Sequence, residues 1–170
     1  MKMQPSQNCF KLVKHYEKFM PGPYLCPAGV PTIGYGTTVY PDGREVRLTD
    51  KKITEPLACE FLEHDIERFS EGVNSLVKVP ITQGMHDALT SFAYNVGLDI
   101  DTDNIAEGLG DSTLLKLLNA GAPVMKVNAE FLKWTKARRK GKLVSLAGLE
   151  ARRRAEAWLA FNLELKFFTA

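Results

Sequence analysis

Between Tyr24 and Leu48 the chain is interrupted by Pro27, Gly29, Pro31, Gly34, Gly36, Pro41 and Gly43. No helix of ordinary length tolerates so many breakers. Proline lacks an amide donor, and glycine gives up the most backbone entropy on ordering. Short extended runs fit between the breaks, at Val30–Tyr35 and Thr37–Tyr40, and Pro41-Asp42-Gly43-Arg44 is a turn signal between strands. This segment predicts a small antiparallel sheet.

The rest of the chain has a helical period. A first helix is expected over about Ser6–Phe19, stopped by Pro21-Gly22. Thr54 is placed to cap a long helix in which Leu62, Ile66, Phe69, Val73 and Leu76 alternate spacings of four and three, with Pro80 ending it. The next helix starts near Thr82, carries Met85, Leu89, Phe92 and Val96 on one face, and stops at Gly97, a left-handed cap. Ser112 opens S-T-L-L-K-L-L-N-A-G, closed by Gly121, and helices over about Pro123–Lys136 and Leu146–Leu165 complete the chain. The expected architecture is α+β in a single domain over 1–170. A small N-terminal β lobe with the first helix (1–53) joins a long helix (54–79) to a larger helical lobe (80–170). Ligands bind readily in the cleft such an arrangement leaves.

Composition narrows the class. No apolar run approaches the roughly 18 residues that span a bilayer, and the start, Met1-Lys2-Met3-Gln4-Pro5-Ser6, has no apolar leader pattern. Three cysteines (Cys9, Cys26, Cys59) without C-x-x-C spacing argue against a disulfide framework and suit a reducing cytoplasm. The histidines, His15, His64 and His86, have no metal-ligand spacing. Asp99–Asn104 begins like a calcium loop, but its sixth and twelfth positions are Asn104 and Gly110 where Gly and Glu are required. No metal or cofactor is expected. The total charge of +2 is uneven. Lys133–Arg154 holds nine Lys and Arg against Glu150 alone, a local +8 that leaves −6 for the remainder. Such a run is either a solvated helix face or a patch for an anionic partner.

The chemistry-bearing residues cluster near the first helix. Phe10, Val13, Glu17 and Met20 share one helical stripe by spacing. A carboxylate on an apolar stripe is costly to bury ionised, so its pKa tends to rise, as a general acid needs. The alternative is a Glu at a helix end that reaches water. Cys26 follows nine positions after Glu17, and Thr32 six after that, directly before Ile33-Gly34-Tyr35-Gly36.

Acid, eight residues, Cys, five residues, Thr, then I-G-Y-G resembles the catalytic segment of the phage-type lysozymes, the endolysins with which bacteriophages open their hosts. Gln83–Gly97 with Ser112–Gly121 is similar to that family's central helices, and Leu146–Leu159 to its closing G-L-x-x-R-R segment. The chain departs from the pattern at Thr37, where the family often has His, and in a longer stretch between Gly97 and Ser112. The resemblance implies a lysozyme-like fold and cleavage of the bond between N-acetylmuramic acid and N-acetylglucosamine in peptidoglycan. By the same resemblance Glu17 is the acid, facing Cys26 and Thr32, and Tyr35, Gly36, Tyr94 and Asn95 contact substrate. Whether Cys26 serves as base, nucleophile or water holder stays open, since an unperturbed thiol is only a few per cent thiolate at neutral pH. The expected partner is peptidoglycan, with the basic run attracted to the anionic envelope, no nucleic acid, and a monomer. The enzyme is expected in the host cytoplasm until a separate pore-forming protein releases it. Alternatives are a lytic transglycosylase, which needs one Glu and no base for water, and a cationic envelope-binding module.

Overall fold

The structure is a computed structural model, and it describes residues 2–100, 107–139 and 142–170, with the side chains of 138 and 139 outside that description. Much of the Asp99–Asn104 stretch and the Arg138–Lys140 part of the basic run therefore lie outside the described residues or side chains. The element order is α1 (Gln7–Glu17), β1 (Met20–Leu25), β2 (Pro31–Gly34), α2 (Glu55–Leu76), α3 (Gln83–Val96), α4 (Thr113–Asn119), α5 (Val124–Phe131), β3 (Lys136–Arg139), β4 (Lys142–Ser145) and α6 (Ala147–Asn162). The fold is α+β, as the sequence predicts.

Helix starts follow local chemistry. The side-chain oxygens of Ser6, Thr54, Thr82 and Ser112 each accept a hydrogen bond from an amide of the first turn of α1, α2, α3 and α4. Helix ends are less regular. Gly97 closes α3 at φ +100° and ψ 162°, an extended conformation with positive φ rather than the expected left-handed cap. The first helix ends at Glu17, and Lys18 turns the chain out at φ +58°.

Three sequence expectations need correction. Pro21-Gly22 does not simply stop a helix. It lies inside β1, which pairs antiparallel with β2 through Tyr24↔Thr32 and Leu25↔Pro31. Prolines are tolerated there because β1 has one partner only, and the register is irregular between Met20 and Tyr24 where they sit. Met20, assigned to the apolar stripe of α1, is accordingly a strand residue and exposed. The helix expected over Pro123–Lys136 ends at Phe131, and a hairpin, β3–β4, follows. Finally, the strand expected over Thr37–Tyr40 is reduced to isolated bridges, Ile33↔Thr37 and Val39↔Glu45. Helix α1 packs Cys9 and Val13 against Tyr35 of the β lobe. Its Leu12 is buried with Ala155 and Leu159 of α6, and α1 also packs on α3.

At the centre lies α3, buried from Gly84 to Ala93 without interruption. Val73, Met85, Leu89, Phe92, Leu114, Leu118 and Phe131 form the main core around it. Gly84 is needed for this packing, since a Cβ there would stand 2.3 Å from the Leu159 carbonyl oxygen of α6. That close approach brings the side chains of α6 against α3. The sheet is tied to α2 by a buried hydrogen bond, Thr37 Oγ1 donating to Asp65 Oδ2 at 2.8 Å. The hydroxyl at Thr37, where a histidine is frequent in the resembling family, thus reaches an acid without carrying charge. Burial pushes the Asp65 carboxyl above its ordinary pKa, against the lowering effect of Thr37 and Arg68.

Candidate active site

Glu17, Cys26 and Thr32 come from the end of α1, the turn after β1 and the strand β2, and all three line one cleft of about 460 Å³. Gly36, Tyr94 and Asn95 line it as well, and Trp134, Lys136 and Ala137 close it from the α5–β3 side.

Glu17 is not in the apolar setting that the helical spacing predicts. Its side chain is 21% exposed, and Oε1 accepts a hydrogen bond from Arg152 Nη1 of α6. Arg152 itself is 2% exposed. Its Nε donates to Glu156 Oε1 at 3.1 Å and its Nη2 to the Ser91 carbonyl at 3.1 Å. Burial works to lower the pKa of this guanidinium, but the Glu17 and Glu156 carboxylates outweigh burial and hold it above its ordinary value. Oε2 of Glu17 lies toward Gly36, where an added Cβ would come within 3.6 Å of it and 3.3 Å of the Tyr94 hydroxyl. Gly36 sits at φ +113°, a backbone conformation that strains any residue with a side chain.

Cys26 opens the β1–β2 connection. Its amide donates to the Val30 carbonyl at 3.0 Å, and Gly29 donates back to the Cys26 carbonyl at 2.8 Å. Burial pushes the thiol up, yet hydrogen bonding at the Val30 and Ala28 backbone, at Thr32 and at the Gly29 backbone outweighs it and holds Cys26 below its ordinary pKa. Thr32 is 3% exposed and gives its single hydroxyl proton to the Val30 carbonyl at 2.9 Å. The Thr32 oxygen also carries lone pairs with which a hydroxyl accepts.

The residues expected to contact substrate divide. Asn95 is exposed in the cleft, its Oδ1 accepting from Arg153 Nη2 at 2.8 Å. Tyr94 presents its hydroxyl side to Gly36 and donates to the Tyr35 carbonyl at 3.0 Å, while its ring packs 5.3 Å from that of Phe69. Tyr35 does not reach the cleft, which corrects its assignment as a substrate contact. It is 3% exposed, packed with Cys9, Val13 and Leu62, and its hydroxyl donates to Glu55 at 2.6 Å. The other two thiols are outside the site. Cys9 is buried, and Cys59 accepts from Lys14 Nζ at 3.2 Å. Among the described residues no group of three or more His, Cys, Asp or Glu is arranged to hold a metal ion, and no helix is long and apolar enough to cross a membrane.

Sequence reasoning misses the charge cluster behind Glu17. Arg152 and Arg153 belong to the run that reads as a solvated face or anionic-partner patch, and both are buried. A signal for the cluster does exist: Glu156 stands four positions after Arg152 and three after Arg153, the spacings at which helical side chains meet.

An acid, a thiol and a hydroxyl that line one cleft of an α+β frame suit a glycoside hydrolase, and the comparisons with known proteins give that class. The family model described as phage lysozyme matches residues 14–156, and the chain belongs to that family. It is 38% identical over 154 residues to the endolysin of Acyrthosiphon pisum secondary endosymbiont phage 1, covering 91% of this chain and 95% of that protein. Among solved structures it is similar to the endolysin from Escherichia coli O157:H7 phage FAHEc1, with a TM-score of 0.83 and 37% identity over 98% of both chains. It is also similar to the muramidase domain of SpmX from Asticaccaulis excentricus, with a TM-score of 0.76 and 31% identity over 93% of this chain and 97% of that one.

Proposed function

We propose that this hydrolase is a muramidase that cleaves the β-1,4 bond between N-acetylmuramic acid and N-acetylglucosamine in bacterial peptidoglycan. The observation that carries the proposal is the convergence of Glu17, Cys26 and Thr32 on one cleft from three separate elements. Glu17 gives a proton to the leaving glycosidic oxygen. With Oε1 held by Arg152, Oε2 on the Gly36 side is the oxygen placed to deliver it. Cys26 as thiolate takes one proton from a water, Thr32 accepts a hydrogen bond from the other, and the water oxygen attacks the anomeric carbon. Asn95 binds the sugar by hydrogen bonding. Gly36 leaves room for it, and Tyr94 fixes the Gly36 backbone in place.

As an endolysin the chain acts as a monomer on the wall from inside the host, after a separate pore-forming protein opens the membrane, and lyses the cell. Exposed Lys136 and Lys142 add attraction to the anionic envelope, in a smaller patch than the sequence suggests because Arg152 and Arg153 are consumed in the interior. Mass spectrometry of digested peptidoglycan tests the reaction. Reducing-end muramic acid products are expected; anhydro-muramic products identify a transglycosylase, and the absence of cleavage a binding module. Glu17→Gln is expected to lower turnover by at least about 10²-fold with the circular dichroism spectrum unchanged, since general acid catalysis is worth 10²–10⁴-fold. Retention of a tenth or more of the activity rules Glu17 out as the acid.

A further inference from the structure

One member of the buried charge cluster never meets the cleft. Glu156 is fully buried on α6 and lines neither of the cavities that Glu17 and Asn95 border. Its Oε1 accepts from Ser91 Oγ at 2.8 Å, from Arg152 Nε at 3.1 Å and from Arg153 Nη2 at 3.3 Å, and its Oε2 lies 2.9 Å from Arg153 Nε. The two guanidiniums then leave it for different places on the cleft wall. Arg152 Nη1 reaches the Glu17 carboxylate on α1, and Arg153 Nη2 reaches the Asn95 amide oxygen on α3 at 2.8 Å.

Two cations side by side repel unless an anion is shared between them. The set closes as two carboxylates, Glu17 and Glu156, against two guanidiniums. Stability alone does not account for it, because well-packed apolar side chains in place of a buried ion network are often as stable or more so. What the network supplies is geometry: one carboxylate fixes the directions of two arms that end on the acid and on a cleft amide.

We infer that Glu156 is a positioning residue that orients Glu17 and Asn95 relative to each other through Arg152 and Arg153. The inference rests on the reading of Glu17 as the acid. Besides the two arginines of its own helix, Glu156 is faced by Ser91 of α3 and by Cys9 and Tyr16 of α1; Glu17 is faced by Arg152, Tyr24, Cys26 and Tyr94.

The test measures kcat and KM of the full chain on purified peptidoglycan across pH. Glu156→Gln is expected to lower kcat by about 10- to 100-fold, the scale of a small misplacement of a reacting group, and to raise KM. It removes the carboxylate that the two guanidiniums share, so the pH profile of kcat/KM is expected to change. The effects of Glu156→Gln and Asn95→Ala on KM are expected to be non-additive. Should Glu156→Gln fail to fold, the charge-balanced pair Glu156→Gln with Arg153→Gln keeps the Arg152–Glu17 contact, and it is expected to raise KM and lower kcat severalfold. A folded variant of either kind with the wild-type kcat, KM and pH profile overturns the inference. An active Glu17→Gln enzyme overturns instead the reading on which it rests.

Discussion

The two walls of the cleft hold their reactive groups by different means. Glu17 is held by side chains: Arg152 grips it, Glu156 and Ser91 grip Arg152, and these come from α6 and α3 while Glu17 ends α1. Cys26 and Thr32 are held by backbone, within a turn and strand that run only from Cys26 to Thr32. The first arrangement exists only when three helices meet. The second is set by a few consecutive residues and their own hydrogen bonds. The difference predicts that damage to the first wall costs stability and activity together, while damage to the second costs activity alone.

The largest effect sought is Arg153→Met, which leaves the Glu156 carboxylate short of a buried partner. Removing one member of a buried pair costs about 3–5 kcal/mol, so urea denaturation is expected to show a loss of that order. Burial draws the Arg153 guanidinium down to about 10, still protonated at neutral pH, so the charge is present to be lost. A loss under about 1 kcal/mol would erase the contrast between the walls.

The Cys26 series is the counterpart on the second wall. Cys26→Ala is expected to lower turnover by about 10²-fold while the melting temperature stays within a few degrees. Cys26→Asp, which supplies a base already ionised at neutral pH, is expected to retain substantial activity. The sign of the pH effect follows from the role. A base works deprotonated, so the wild-type rate rises with pH through the thiol pKa, which lies below its ordinary value, and the Asp variant lacks that rise. Wild-type turnover in Cys26→Ala would reduce the thiol to a packing residue.

A smaller effect concerns the clasp that ties the second wall to α2. The Asp65 carboxyl is raised by burial, so the folded chain binds its proton more tightly than the unfolded chain does. That contribution is fully present below the unfolded value of about 3.9 and is lost as pH climbs through the folded value. Asp65→Asn keeps an acceptor for Thr37 without the titration. The variant is therefore expected to gain stability on the wild type as denaturation is repeated from pH 3 to 7. Parallel curves would show that Asp65 titrates normally. The smallest effect lies at the cleft edge. Lys136→Gln with Lys142→Gln is expected to weaken wall adsorption a few-fold at low salt and hardly at all at 0.15 M, where the Debye length is about 8 Å.

Local chemistry is legible in the sequence itself. The caps at Ser6, Thr54, Thr82 and Ser112, strand β2 and the Glu17, Cys26 and Thr32 spacing can be read there because each depends on residues a few positions apart. The same spacing bears the family resemblance, and the chain does belong to that family. Strand β1 is hidden by its prolines, which only a single-partnered strand tolerates, and hairpin β3–β4 by helix-like composition next to a real helix. Tyr35 is assigned to the cleft by the family resemblance, yet its ring packs between Cys9 and Val13 of α1 and Leu62 of α2, contacts that no local spacing reveals. The fate of the basic run is decided by tertiary structure, with the Glu156 spacing as its one local sign. Sequence gives Arg152 and Arg153 the same charge as Lys136 and Lys142. Only the close crossing of α3 and α6 at Gly84, and the docking of α1 across both, puts two of these cations in the interior. There the cost of removing a charge from water makes every one of them require a partner, and the partner of Arg152 is Glu17.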